Sequence, residues 1–207
     1  MTSSIQLYRH PISGHCHRVE LLLSLLGLPY EKIDVDLLKG EHKTPAFLAM
    51  NPLGQVPVLR DGELALCDSN AILVYLEGRY APGKWLPGDP VEAARVQRWL
   101  SQAAGPLAFG PASARLVQLF KLATDPKEAI DRAAVLLQLM EAELTQTAYL
   151  VGDQPTLADL ALYAYVARAP EGLISLQPYP AVRDWLSRIE ALPGFVHMLE
   201  TPVGLAA

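Results

Sequence analysis

The chain has 207 residues, enough for one large domain or two small ones. Half of it is hydrophobic (51%) and 19% is charged, so a packed core is expected and extended disorder is not. A net charge of −5 argues against nucleic-acid binding, and two cysteines, Cys16 and Cys67, are too few for a disulfide framework and fit a reducing compartment.

The opening MTSSIQLYRHP has no basic stretch followed by an apolar one, so no secretory leader is expected. Residues 5–8 alternate as a short strand. Val19, Leu22, Leu23 and Leu26 then fall on one helix face, and Gly27 followed by Pro29 ends that helix. The apolar run 19–28 is broken by Glu20, Ser24 and Gly27 and is far shorter than a membrane span. Ile33, Val35 and Leu37 alternate as a second strand. Thr44-Pro45 opens a short helix to Met50, with Thr as its cap. Strands over 56–60 and 63–66 flank Asp61-Gly62, read as a two-residue hairpin turn. Another helix follows Asp68. Strands mixed with a crossover helix imply an α/β domain with a mixed four-stranded sheet over residues 1–80. Residues 81–90, APGKWLPGDP, carry three prolines and two glycines and form the linker. Beyond it, 91–207 shows only helical periodicity: Val96, Trp99, Leu100 and Ala103; Ile130, Ala133, Ala134, Leu137 and Leu144; Val182, Trp185, Leu186 and Ile189. That domain is all-α. Residues 105–127, with Pro106, Pro111 and Pro126, stay unassigned.

Four local signals carry most of the information. In LYRHPISGHCHR a strand feeds a helix through Ser13-Gly14-His15-Cys16, the spacing of a redox C-x-x-C pair with serine first. Free N–H groups and the dipole at such a helix start stabilise an anion. Ser13 can lower the pKa of a sulfur arriving on a ligand by donating its hydroxyl hydrogen; its commoner task at such a position is capping. In NPLGQVPVL, Pro57 leaves Val56 free to offer its N–H and C=O to an extended peptide, and a cis Val56–Pro57 bond would present Val56 to a cleft; an ordinary edge-strand proline is the competing reading. In DSNAI, the helix start with Ser69 can hold a carboxylate and Asp68 an amine, although Asp68 also suits a plain cap. In GDQPTLADL, Thr156 and Asp159 make a capping box, a folding signal with no chemistry of its own.

His10, His15 and His17 crowd near Cys16, but neighbours on a helix face different ways and no metal site is expected. His15 is read first as a surface or loop histidine, with a place at the border of the cleft as its alternative. Cys16 is read as a small packed residue, with a second redox thiol as its alternative, and Cys67 as buried.

In this order the four signals, with a boundary near residue 85, resemble a soluble glutathione transferase of bacterial, serine-type (theta- or delta-like) character, over nearly the whole chain. The resemblance implies a thioredoxin-like N-terminal domain, an all-α C-terminal domain, a cytoplasmic homodimer, and no tightly bound cofactor, nucleic-acid partner or membrane. It implies conjugation of glutathione, as co-substrate, to small hydrophobic electrophiles, a detoxifying reaction. Ser13 would match the serine that bonds the glutathione sulfur, Pro57 the cis-proline, Val56 the partner of the cysteinyl backbone, and Asp68 and Ser69 the pair at the γ-glutamyl end. His42 and Lys43 would reach the glycine carboxylate, and Gln55 would be a further contact. The electrophile pocket would lie between the domains, lined by Ile12, Phe109 and Phe120. Helix 1 departs from the pattern, with His15 where many relatives have Pro and His17 ahead of Arg18; so does Asp68, where Glu is commoner. Two alternatives accompany this reading: glutathione-dependent disulfide or peroxide reduction through Cys16 or a second glutathione, and a non-catalytic binding module on the same scaffold.

Overall fold

A computed structural model describes residues 5–205. The expectations for residues 1–4 and 206–207, including the first residues of the stretch read for a leader, lie outside the described residues. The chain forms two compact units. One runs up to Pro82 and includes Pro193–Leu199; the other is Gly83–Leu192 with the residues from Glu200 on.

In the first unit β1 (Ile5–Arg9) leads into α1 (Gly14–Leu25) and β2 (Tyr30–Asp34); α2 (Pro45–Met50), β3 (Val58–Asp61), β4 (Leu64–Cys67) and α3 (Ser69–Tyr80) follow. The sheet order is β2-β1-β3-β4. β1 and β2 pair parallel through the α1 crossover, and the other two pairs are antiparallel. This is the mixed four-stranded sheet expected. Leu7, Leu22, Leu23, Leu59, Ile72 and Leu76 are fully buried or nearly so, and Val58, on the other face of β3 from Leu59, packs with Val35 and Phe47. Gly27 (φ 64) closes α1, with the Leu28 N–H on Leu23 O at 3.0 Å.

Three boundaries differ from the sequence reading. β2 starts at Tyr30, three residues early; it is an edge strand with Glu31 and Lys32 exposed, so the apolar alternation beginning at Ile33 marks only its end. β3 begins at Val58 because Pro57 has no N–H for the ladder. Its register pairs Asp61 with Leu64, so the turn residues are Gly62 and Glu63. Asp61 stays in the strand and accepts the Tyr75 hydroxyl at 2.8 Å and that of Tyr80.

The second unit is helical: α4 (Pro90–Gln102), α5 (Ser113–Phe120), α6 (Lys127–Leu144), α7 (Leu157–Ala167) and α8 (Pro180–Glu190). Ala103–Ala112, which takes in Ala103 from the first helical pattern and the start of the unassigned stretch, is a π-helical segment joining α4 to α5. Pro106 and Pro111 each remove a backbone donor, and the widened turn absorbs the loss. Gly110 lets it approach α6: a Cβ there would sit 3.0 Å from Ala133 N. Arg115 and Glu171 form a buried ion pair at 2.7 Å, and Glu171 also accepts the N–H and hydroxyl of Thr201. Among the described residues no helix is long and apolar enough to cross a membrane.

Residues 193–199, assigned by sequence to the helical domain, belong to the first unit. His17 Nε2–H donates to Val196 O at 2.8 Å and the Ser24 hydroxyl to Gly194 O at 2.6 Å, both from α1. Gly194 (φ 89) permits this, since a Cβ there would come 3.1 Å from Ser24 O.

Candidate functional site

The loop after β1 turns at His10–Ser13, where the Ser13 N–H bonds His10 O at 3.0 Å. Ser13 then caps α1 in an extended conformation, its Oγ accepting the Cys16 N–H at 3.3 Å. The cap uses an acceptor lone pair and not the hydroxyl proton, and the Ser13 hydroxyl also bonds toward the Cys16 side chain, which offsets part of the effect of burial on that thiol. Cys16 is fully buried with its Sγ 3.4 Å from the His10 N–H; burial pushes its thiol up to about 11. It stays a thiol at neutral pH.

The loop before β3 is built around Asn51, itself 3% exposed. Its Nδ2 donates to Gln55 O (2.8 Å), its Oδ1 accepts from Leu53 N (3.1 Å), and its carbonyl accepts from Gly54 N (2.8 Å). Gly54 has φ 58, and a Cβ there would lie 2.8 Å from the His42 carbonyl and 2.7 Å from Lys43 Nζ. The Val56–Pro57 bond is cis. Lys43 Nζ donates to Leu53 O and Gly54 O, each at 3.2 Å, so its amine braces this loop from the 3₁₀ turn Glu41–Lys43. His42 is half-buried beside it, and its Nδ1 is buried with no hydrogen-bond partner among the described residues.

At the end of β4 the backbone turns sharply. Asp68 adopts φ 68 and caps α3, its Oδ1 accepting the N–H groups of Asn70 and Ala71 at 2.9 Å each. Ser69 is buried, and its Oγ accepts from Arg18 Nη1 at 3.2 Å. The same nitrogen donates to Asn70 Oδ1 at 2.7 Å. Arg18 is 1% exposed, so α1 sends a buried guanidinium to the start of α3.

These segments meet in one cleft of about 150 Å³, lined by Gln55, Val56, Pro57, Asp68 and Ser69 together with His15, Asn51, Leu53 and Cys67. Four residues singled out by sequence as ligand contacts, together with the cis-proline Pro57, therefore line one cleft, and His15 borders it. Ser13 lies two residues before His15; His42 and Lys43 lie behind the 51–55 loop. None of these three is in the lining. Burial, reinforced by the charge of Arg18, lowers His15 from 6.5 to about 3, so it is neutral at physiological pH. Ile12 is half-buried in the loop before α1, while Phe109 (60% exposed) sits in the π-helical segment and Phe120 (48% exposed) ends α5.

Sequence reasoning gave no site role to Asn51, Leu53, Cys67 or Arg18. Asn51 carried a usable signal, an asparagine three residues before a glycine, which suits a side chain bonding its own turn. Arg18 carried none, because its partners lie 51 and 52 residues downstream.

Family models for the N-terminal and C-terminal domains of glutathione S-transferase match residues 7–85 and 99–193. Glutathione S-transferase 3 of Zea mays is 36% identical over 92% of this chain and 91% of its own length. Glutathione S-transferase theta-2 of Homo sapiens is 34% identical over 92% of this chain and 82% of its own. Among solved structures, a glutathione S-transferase from Pseudomonas fluorescens superposes with a TM-score of 0.90 at 37% identity, covering 96% of this chain and all of that one. A glutathione transferase homologue from Drosophila mojavensis, solved with bound glutathione, gives 0.85 at 30% identity, covering 93% and 90%. With both halves matched in order and relatives aligned along nearly its full length, the chain belongs to the glutathione S-transferase family.

Proposed function

We propose that this protein binds glutathione in the cleft of its first unit and adds the glutathione thiolate to small hydrophobic electrophiles. The observation that carries the reading is the meeting, in that one cleft, of the Val56 backbone ahead of a cis proline with the N-terminus of α3. The first suits strand-like pairing with a cysteinyl backbone. The second suits the γ-glutamyl end: helix N–H groups and Ser69 for the carboxylate, Asp68 for the amine, and Gln55 as a further contact. Capping occupies Oδ1 of Asp68 and leaves Oδ2 for that amine. His42, with Lys43 as second candidate, serves the glycine carboxylate. Ser13 donates its hydroxyl hydrogen to the sulfur, and the α1 dipole favours the anion. No tightly bound cofactor is needed, since proximity and thiolate formation carry the addition. A cytoplasmic homodimer is part of the same proposal.

Reduction of disulfides or peroxides through Cys16 is disfavoured by its complete burial and raised thiol. The test is Ser13→Ala. Losing a hydrogen bond to an anion should raise the pKa of bound glutathione toward its free value and lower turnover about 10- to 100-fold, with affinity changed less than about threefold. Thiolate absorbance in the ultraviolet, followed against pH, reads it directly. An unchanged titration curve in the variant would remove Ser13 from the chemistry.

A further inference from the structure

We propose that Arg18 is a positioning residue for carboxylate recognition: by donating to Ser69 Oγ it turns the serine's one proton toward the cleft, and it sets a buried positive charge behind the N-terminus of α3. This rests on the glutathione reading of the cleft and deepens it. A serine hydroxyl has two lone pairs and one hydrogen. Arg18 Nη1 lies 3.2 Å from Ser69 Oγ and, having only hydrogens to offer, must be the donor. Ser69 therefore keeps its proton for something else, and it lines the cleft.

The same Nη1 lies 2.7 Å from Asn70 Oδ1. Asn70 in turn gives its backbone N–H to Asp68 Oδ1. One guanidinium nitrogen thus reaches both residues that follow Asp68 and braces the first turn of α3, whose Asp68 and Ser69 line the cleft. Burial makes the charge matter: at 1% exposure the guanidinium is little screened by solvent, and its field adds to the partial positive charge of the helix start. The depressed pKa of His15, in which Arg18 takes part, agrees with such a field at the cleft wall.

The test compares glutathione with its analogue lacking the γ-glutamyl α-carboxylate. Calorimetry would measure both affinities in the wild type, Arg18→Gln, Arg18→Lys, Ser69→Ala and Arg18→Gln/Ser69→Ala. The wild type should favour glutathione about 10- to 100-fold, the effect of charge-assisted hydrogen bonds to the carboxylate. Arg18→Gln should shrink that preference at least about fivefold while leaving the analogue's affinity within about twofold, and the double variant should lose little more than either single one. In turnover, KM for glutathione should rise with kcat at saturation little changed. Arg18→Lys, which keeps the charge and a donor, should recover much of the preference, and Arg18→Met, which has neither, is read in place of Arg18→Gln if that variant fails to fold. A purely structural role would weaken both ligands equally, and a full preference in folded Arg18→Gln or Arg18→Met would overturn the inference while leaving the glutathione reading intact. No measurable glutathione binding by the wild type would overturn both.

Discussion

A hydroxyl has more acceptor sites than protons, and at Ser13 a lone pair closes the first turn of α1 without using the hydrogen, which the proposed chemistry would direct to a ligand sulfur. Capping and catalysis are therefore compatible at this residue. Its neighbours are held out of the chemistry by their surroundings. Cys16 is a buried thiol, and His15 is kept neutral by burial and the charge of Arg18. The His15 shift has a measurable sign. Between pH 6.5 and about 3 the unfolded chain takes up a proton that the folded imidazole refuses, so stability present above 6.5 is lost as the pH falls through that window. His15→Gln, which cannot titrate, should flatten the fall; urea midpoints measured from neutral pH to about pH 4 should drop less in the variant than in the wild type. Parallel curves would contradict the assignment. Ser13, Asp68 and Ser69 stand out in the sequence because strand-to-helix junctions are local. Arg18 does not, because the contacts that give it a role are made on another helix.

Helix α7 begins where the sequence says it should, and the reason is again local. Thr156 and Asp159 bond each other's backbone and side chain within one turn. Asp159 does more than cap: its fully buried carboxylate also accepts the Leu150 N–H at 2.9 Å and the Trp185 indole N–H at 2.8 Å, joining α7 to a loop and to α8. Those two contacts were not readable from T-x-x-D. Thr156→Ala should cost about 1 kcal/mol, the usual loss of a cap. Asp159→Ala, which strands several buried donors, should cost about 3 kcal/mol or more, and urea unfolding would rank the two. Equal losses would reduce Asp159 to its capping role. Periodicity misled where an element departs from the ordinary template. β2 is an edge strand whose apolar pattern marks only its end, and Pro106 and Pro111 read as breaks where a π-helical segment continues the chain.

The order of an α/β unit before an all-α unit was readable because prolines and glycines in 81–90 interrupt both the strand and the helix period. The course of the chain near its end was not. It enters the first unit again over Pro193–Leu199, and the contact between Ser24 and Gly194 joins residues 170 positions apart, a pairing no local pattern announces. Deleting everything after Leu192 removes the partners of His17 and Ser24 on α1 and, in the helical unit, the Thr201 contacts of Glu171. The shortened chain should lose about 3 kcal/mol or more of unfolding free energy, read from denaturant titration; melting together with the intact protein would show the segment to be idle. The same routing orders events during synthesis. A ribosome delivers residues 193–199 only after the whole stretch Gly83–Leu192 has been made, so the side of α1 that they cover waits exposed through that interval, and a nascent chain halted at residue 82 would carry every described strand of the first unit yet lack its final piece.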